Sequence, residues 1–289
     1  MEQKGIIRII SDFIEGSPEN RLYPDKDEPA WEEVLIGFCA GDDPIFETYK
    51  EHVGLFHWTP MEIFNLTYHD SPARAEELTV ISWVLPQREA TKAENRSQDF
   101  YPSERWTRAR FTGEQFNELI RKHVVETLIK ANILAVAPTL SPEFKIEDSP
   151  GFGLASRWSE RHAAHAAGLG TFGICDGLIT PKGKAHRVGS IIARIQIPST
   201  QRPYDNHLAY CLYFVGGSCM ACAERCPVNA ISEKGHDKIK CLNHAGGTCA
   251  QYIKEHFGFE GYGCGLCQTG VPCESGIPKE ILKSKQYKQ

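Results

Sequence analysis

Several features that would settle the class of this chain quickly are missing. No apolar run approaches the roughly 18 residues that a membrane span needs, so no spanning helix is expected. The N-terminal stretch MEQKGIIRIISDFIEGSPEN carries Glu2 and Asp12 and lacks both a small-residue cleavage site and a twin-arginine pair. A secretory leader is therefore not expected, and the expected location is a reducing cytoplasm. Basic charge is not in excess: the formal net charge is −5, which argues against a broadly basic nucleic-acid binder. The Gly-Lys-Ser/Thr ending of a phosphate-binding loop is absent. The three glycines of Gly168–Gly173 follow a helical pattern rather than a strand, so they are no dinucleotide fingerprint.

What is present reads as a globular chain. Its 289 residues suit one large or two ordinary domains, and 41% hydrophobic residues are enough for a real core. Ile6, Ile9, Ile10, Phe13 and Ile14 have helical spacing. Val34–Cys39 and Thr79–Leu85 predict buried strands, the second ended by Pro86. Residues 45–70 are aromatic-rich with His52, His57 and His69 interspersed, which predicts a helix on a core. Residues 87–110 read as a charged, solvated stretch. Thr112 and Gln115 have capping-box spacing for a helix to about Ala131, and Ile133–Val136 and Gly189–Ile197 predict further strands. Residues 138–153 predict a loop. Ser156 or Ser159 is expected to cap a helix that ends before Gly168. Helix and strand alternating to about residue 200 predict an α+β or α/β layer domain over 1–204, followed by a cysteine-rich module over 205–289 that is too small to fold without metal.

Cysteine is where the chain is distinctive. Nine of the eleven cysteines fall between Cys211 and Cys273. The run Cys219-x2-Cys222-x3-Cys226-Pro227 is answered by Cys264-x2-Cys267-x5-Cys273. In the bacterial ferredoxin run, closely spaced thiolates hold one [4Fe–4S] cluster and the cysteine before proline reaches the other. On that logic Cys226 joins Cys241, Cys264 and Cys267, while Cys219, Cys222 and Cys273 share the second cluster. The eighth ligand belongs three residues before Cys219, but that position is Gly216. Cys211 and Cys249 are the candidates, and Cys211 is preferred because the pliable FVGG segment can fold it back. Zinc would need only four thiolates and no Cys-Pro, and a disulfide framework would need an oxidising compartment. Cys39 and Cys175 lie outside the region and read as small core residues.

One segment resembles a known family. It contains Glu160-Arg161, Ala167-Gly168-Leu169-Gly170, Ile179-Thr180-Pro181 and Arg187-Val188-Gly189, and is followed by the two cysteine groups. This combination resembles the epoxyqueuosine reductases and the related reductive dehalogenases, which are cobalamin-dependent iron–sulfur reductases. The resemblance implies a nitroreductase-like corrinoid-binding domain followed by a two-cluster ferredoxin-like module. It implies corrinoid contacts from Glu160, Arg161 and the loop Gly168, Leu169, Gly170, Thr171, Phe172 and Gly173. Electrons would come from a reduced ferredoxin or a flavodoxin-type donor, pass through both clusters to the corrinoid, and reduce a small organic substrate. The family's acidic residue has no direct counterpart, since Leu154 stands at that distance from Glu160. Asp148 is the candidate proton donor if six residues are inserted after it, with Tyr101 and Tyr68 behind it. No helical-repeat extension follows Cys273; only Lys279, Lys283, Lys285 and Lys288 do. On these grounds tRNA is not an expected substrate. A different class of function also fits: an electron-transfer protein that serves a partner and has no substrate of its own.

Overall fold

The computed structural model describes residues 1–217 and 219–283; Lys285 and Lys288 lie outside the described residues. It is a mixed α/β fold. In chain order the first part contains α1 (Gln3–Gly16), β1 (Leu35–Ala40), α2 (Ile45–Val53), α3 (Pro60–Thr67), β2 (Thr79–Pro86), α4 (Glu89–Arg96), α5 (Glu104–Lys130) and β3 (Ala135–Val136). Next come β4 (Ile146–Ser149), β5 (Gly153–Ser156), α6 (Glu160–Ala166), β6 (Thr171–Phe172), β7 (Leu178–Ile179) and β8 (His186–Ala193). The cysteine-rich part adds α7 (Leu212–Gly216), α8 (Ala221–Glu224), β9 (Ile231–Ser232), β10 (Gly235–His236), α9 (Lys238–Leu242), α10 (Cys249–Phe257) and α11 (Lys279–Lys283).

The central sheet has the order β1-β2-β8-β3 and every pairing in it is antiparallel. All eight residues of β2 are buried, so both faces are covered. Alternation along the strand sends Ile81, Trp83 and Leu85 to one core, with α1 and the Phe116–Ile120–Val124–Leu128 stripe of α5. It sends Val80 and Val84 to the other, with Phe46, Phe64, Trp158 and the alanines of α6. The Trp83 indole N–H donates to Asn117 Oδ1 at 2.9 Å, and Asn117 donates to the Val188 carbonyl at 3.0 Å, which ties α5 to the sheet.

Three expectations need correction. The stretch 87–110 is helical: α4 lies within it, and α5 starts at Ser103, whose hydroxyl accepts from the Trp106 N–H at 3.2 Å. Thr112 is no cap, because its hydroxyl donates back to the Arg108 carbonyl within α5. The predicted loop at 138–153 contains β4 and leads through a tight turn into β5.

The cysteine-rich part packs in two small apolar clusters that it shares with Ile174, Cys175 and Ile179 of the sheet-bearing part. Arg225 donates to the carbonyls of Gln98 at 2.9 Å and Asn95 at 3.3 Å; Asn95 in turn donates to Thr269 Oγ1 at 3.1 Å. Arg96 pairs with Glu274. Gly183 lies so close that a Cβ there would sit 2.0 Å from the Glu274 carbonyl oxygen, and its φ of +84° also disfavours a side chain.

Glu160 is part of this frame. Its carboxylate accepts from Arg121 Nε at 3.0 Å, from Thr139 Oγ1 at 3.2 Å and from Ser190 Oγ. Burial raises its pKa, against the pull of Arg121. Removing one partner of a buried pair leaves a charge without compensation. Arg121→Met is therefore expected to cost about 3–5 kcal/mol in chemical denaturation, and Arg121→Met with Glu160→Gln to recover most of it. A loss below about 1 kcal/mol in the single variant would show that the pair is not structural.

Candidate metal centre

Two cavities in the cysteine-rich part each gather thiols. The first is lined by Cys211, Cys219, Cys222 and Cys273, with Gly173, Ile179 and Lys184 beside them. The second is lined by Cys226, Cys241, Cys264 and Cys267, and also by Cys175. The first cavity thus has four cysteines and the second five, whereas the ferredoxin-like spacing implies four in each and leaves out Cys175. Each set suits a cubane cluster, which takes four thiolates. The division also bears on the eighth ligand. Cys211 shares the first cavity, whereas Cys249 is fully buried and lies against the second set, 3.3 Å from His244 Nε2 and close to Cys264. The ligand atoms of His244, Cys249 and Cys264 lie within 4.8 Å of one another, a grouping that spacing did not reveal because it includes a histidine.

Cys175 corrects the sequence reading. It is no isolated core cysteine: it packs in one cluster with Cys222 of the first set and Cys267 of the second, and accepts from Lys184 Nζ at 3.3 Å. It lies in the turn between β6 and β7, far in sequence from both.

The second cavity extends beyond its thiols to a wall from the sheet-bearing part, formed by Gln87, Arg110, Arg161, His186 and Arg187. Its volume is about 230 Å³. His186 Nε2 is 2.8 Å from the Leu178 carbonyl, so it carries the proton and Nδ1 is a bare acceptor. Burial lowers the His186 pKa to about 4, so the ring is neutral near pH 7. Nδ1 of His186 and Oε1 of Gln87 are buried without a partner, and Gln87 is 2% exposed. Arg110 donates to the Tyr262 hydroxyl at 2.6 Å and has no carboxylate within ion-pair distance among the described residues. Burial and the nearby Arg187 lower its pKa to about 10, which leaves it cationic. Arg187 pairs with Glu114, and Arg161 donates to the Asp176 carbonyl at 2.6 Å. Of this wall only Arg161 and Arg187 were prominent in the sequence; Gln87 and Arg110 lay in the stretch read as solvated.

The other candidates are placed elsewhere. Glu160 is committed to Arg121 and Ser190 and lines neither cavity. Gly170 faces backbone, since a Cβ there would sit 2.3 Å from the Ile179 carbonyl oxygen. Leu169 is buried against Gly37, and Gly168 packs on Gln201. Thr171 Oγ1 accepts from the Tyr210 N–H at 2.9 Å, and Phe172 packs on His162 and His165. Of this loop only Gly173 reaches a cavity, and it is the first one. Gly168 and Gly170 thus meet protein backbone. Asp148 is exposed on β4, Tyr101 stacks on Tyr252 with centroids 3.9 Å apart, and the Tyr68 hydroxyl donates to the Ala135 carbonyl at 2.7 Å. None of the three lines either cavity.

The lining of the second cavity suits a corrinoid in one respect and not in another. In polarity the wall fits: the ring's rim of amides supplies donors for Gln87 Oε1 and His186 Nδ1 and acceptors for the guanidinium groups. In volume the cavity takes only part of that rim, since sites for drug-sized ligands alone run to about 300–1,000 Å³.

Comparison with known proteins returns the groups that the sequence resembles. No family model matches the chain. Epoxyqueuosine reductase of Bacillus anthracis is 31% identical over 124 residues, which are 41% of this chain and 30% of that protein. The Bacillus cereus protein of the same name is 28% identical over the same shares. The match therefore spans under a third of these relatives. Among solved structures, the reductive dehalogenase NpRdhA aligns with 86% of this chain and 31% of its own, at 18% identity and a TM-score of 0.49. An epoxyqueuosine reductase solved with an epoxyqueuosine-modified tRNA-Tyr stem loop aligns with 98% and 69%, at 17% identity and a TM-score of 0.45. The relatives named epoxyqueuosine reductase, and that complex with tRNA, overturn the expectation that tRNA is no partner. Among the described residues no helix is long and apolar enough to cross a membrane.

The two candidate ligands are separable by substitution. In anaerobically reconstituted protein, Cys211→Ser is expected to halve the iron from about eight to about four per chain, and Cys249→Ser to retain it. The reverse pattern would assign Cys249 to the first cluster.

Proposed function

We propose that the chain is an iron–sulfur oxidoreductase resembling epoxyqueuosine reductase, which passes electrons through two [4Fe–4S] clusters to a corrinoid that reduces an organic substrate. The single observation that carries this reading is the gathering of nine cysteines around two neighbouring cavities, four at the first and, with Cys175, five at the second, which has a polar wall. In this reading residues 1–204 hold the corrinoid and substrate, and 205–289 hold the clusters.

Gln87, Arg110, Arg161, His186 and Arg187 would hold the corrinoid by its amide rim. A bound corrinoid supplies a reducing cobalt centre at which a carbon–oxygen or carbon–halogen bond is cleaved. The protein's own part is to exclude water, to fix polar contacts and to supply a proton. Neutral His186, with Nε2–H fixed on the Leu178 carbonyl, orients Nδ1 as an acceptor; Arg110 and Arg161 hold positive charge at the cavity.

A second reading is favoured by the small volume of that cavity and by the surface of the first. Phe214 and Val215 are exposed large apolar residues beside the first cluster site, where a partner would dock. On this reading the chain delivers electrons to another protein.

Iron and cobalt counts discriminate. Protein reconstituted anaerobically and loaded with cob(II)alamin is expected to retain about eight irons and one cobalt, with an altered cobalt EPR signal. Turnover is then assayed first on an epoxyqueuosine-containing tRNA stem loop and next on small halogenated aromatics. Eight irons without cobalt would favour the electron carrier, and zinc without iron would remove both readings.

A further inference from the structure

Between the two thiol sets stands a pair of residues from the sheet-bearing part. Lys184 lines the first cavity and Cys175 the second. Lys184 Nζ donates to Cys175 Sγ at 3.3 Å, and Cys175 packs in one cluster with Cys222 of one set and Cys267 of the other. The chain of contacts therefore runs from one cluster site to the other through two side chains that the cysteine spacing does not include. Lys184 is held in place by its backbone, whose N–H donates to the Cys273 carbonyl at 2.9 Å.

Lys184 is an unusual lysine. It is 3% exposed and has no carboxylate within ion-pair distance among the described residues. An ammonium in such a place is costly unless negative charge surrounds it. In the two-cluster reading that charge comes from the thiolate-held clusters, whose net charge is negative. Lys184 lines the first cavity, and its Nζ reaches Cys175, which lines the second, so one cation stands beside both sites.

We propose that Lys184, hydrogen-bonded to Cys175, forms a cationic bridge between the two cluster sites that raises the reduction potentials of both clusters together. Net charge and hydrogen bonds at the sulfurs are what set such potentials, and a buried charge acts strongly where the local dielectric is low. Cys175 is a positioning residue here: it joins the ammonium to Cys222 and Cys267 and is not itself a ligand. The inference rests on the two-cluster reading.

The test uses the full chain, reconstituted anaerobically, with iron counted before an EPR-monitored redox titration. Lys184→Met is expected to retain about eight irons and to shift both cluster potentials to more negative values. Cys175→Ser, which keeps a hydrogen-bonding side chain, is expected to remain close to the unaltered protein; Cys175→Ala is expected to shift in the same direction as Lys184→Met. If Lys184→Met does not accumulate with full iron, Lys184→Gln is titrated in its place. Full iron with unmoved potentials in the lysine variants would overturn the bridge alone. A shift in only one cluster would overturn its joint action. Loss of half the iron in Cys175→Ser would make Cys175 a ligand and overturn its positioning role. Fewer than about eight irons in the unaltered protein would instead sink the two-cluster reading on which the bridge depends.

Discussion

Thiolates are costly to bury unless positive charge or metal stands beside them, and this chain collects ten of its eleven cysteines in one region. Much else in the structure follows from that constraint. The cysteine-rich part buries its apolar residues in small clusters, so it depends on docking against the sheet-bearing part and, in the proposed reading, on bound clusters. The docking contacts are polar and specific: Arg225 on the Asn95 and Gln98 carbonyls, Arg96 on Glu274, and the Gly183–Lys184 turn on the backbone of Cys273 and Glu274. The same turn delivers the buried ammonium of Lys184 to the thiols. The segment between β7 and β8 therefore supplies one of the docking contacts as well as the buried cation.

The sheet-bearing part provides a rigid support for that arrangement. Strand β2, covered on both faces, and strand β8 beside it place His186 and Arg187 at the start of β8, where the sheet meets the second cavity. Glu160 and Arg121 stabilise the frame from beneath. Their buried pair explains why a Glu-Arg motif that resembles a cofactor contact can be structural at its first residue and face the cavity only at its second, Arg161.

Much of this was legible in the chain, for local reasons. Ligand spacing such as Cys219-x2-Cys222 reflects local geometry, and the alternating pattern of Thr79–Leu85 reflects a strand between two cores. What could not be read depended on distant contacts. Cys175 is a lone cysteine by sequence, and the β6–β7 turn packs it in one cluster with Cys222 and Cys267. Gly168–Gly173 read as an open ligand cradle, whereas Gly170 is set by its approach to the Ile179 carbonyl. Thr112 had the spacing of a cap but lies inside α5, because the continuous apolar packing of that helix outweighs one local signal. Gln87 and Arg110 belonged to a charged stretch, and nothing local marks which of its residues turn inward.

The polar wall and the limited volume of the second cavity pull the functional reading in two directions, towards a corrinoid rim and towards a partner protein. Both depend on the same claim, that two clusters lie side by side, one in each four-cysteine set. Anomalous scattering at the iron edge from anaerobically grown crystals tests it most directly. The account predicts two separate iron clusters, one enclosed by Cys211, Cys219, Cys222 and Cys273 and the other by Cys226, Cys241, Cys264 and Cys267. A single cluster, or a lone metal ion held by His244, Cys249 and Cys264, would contradict it.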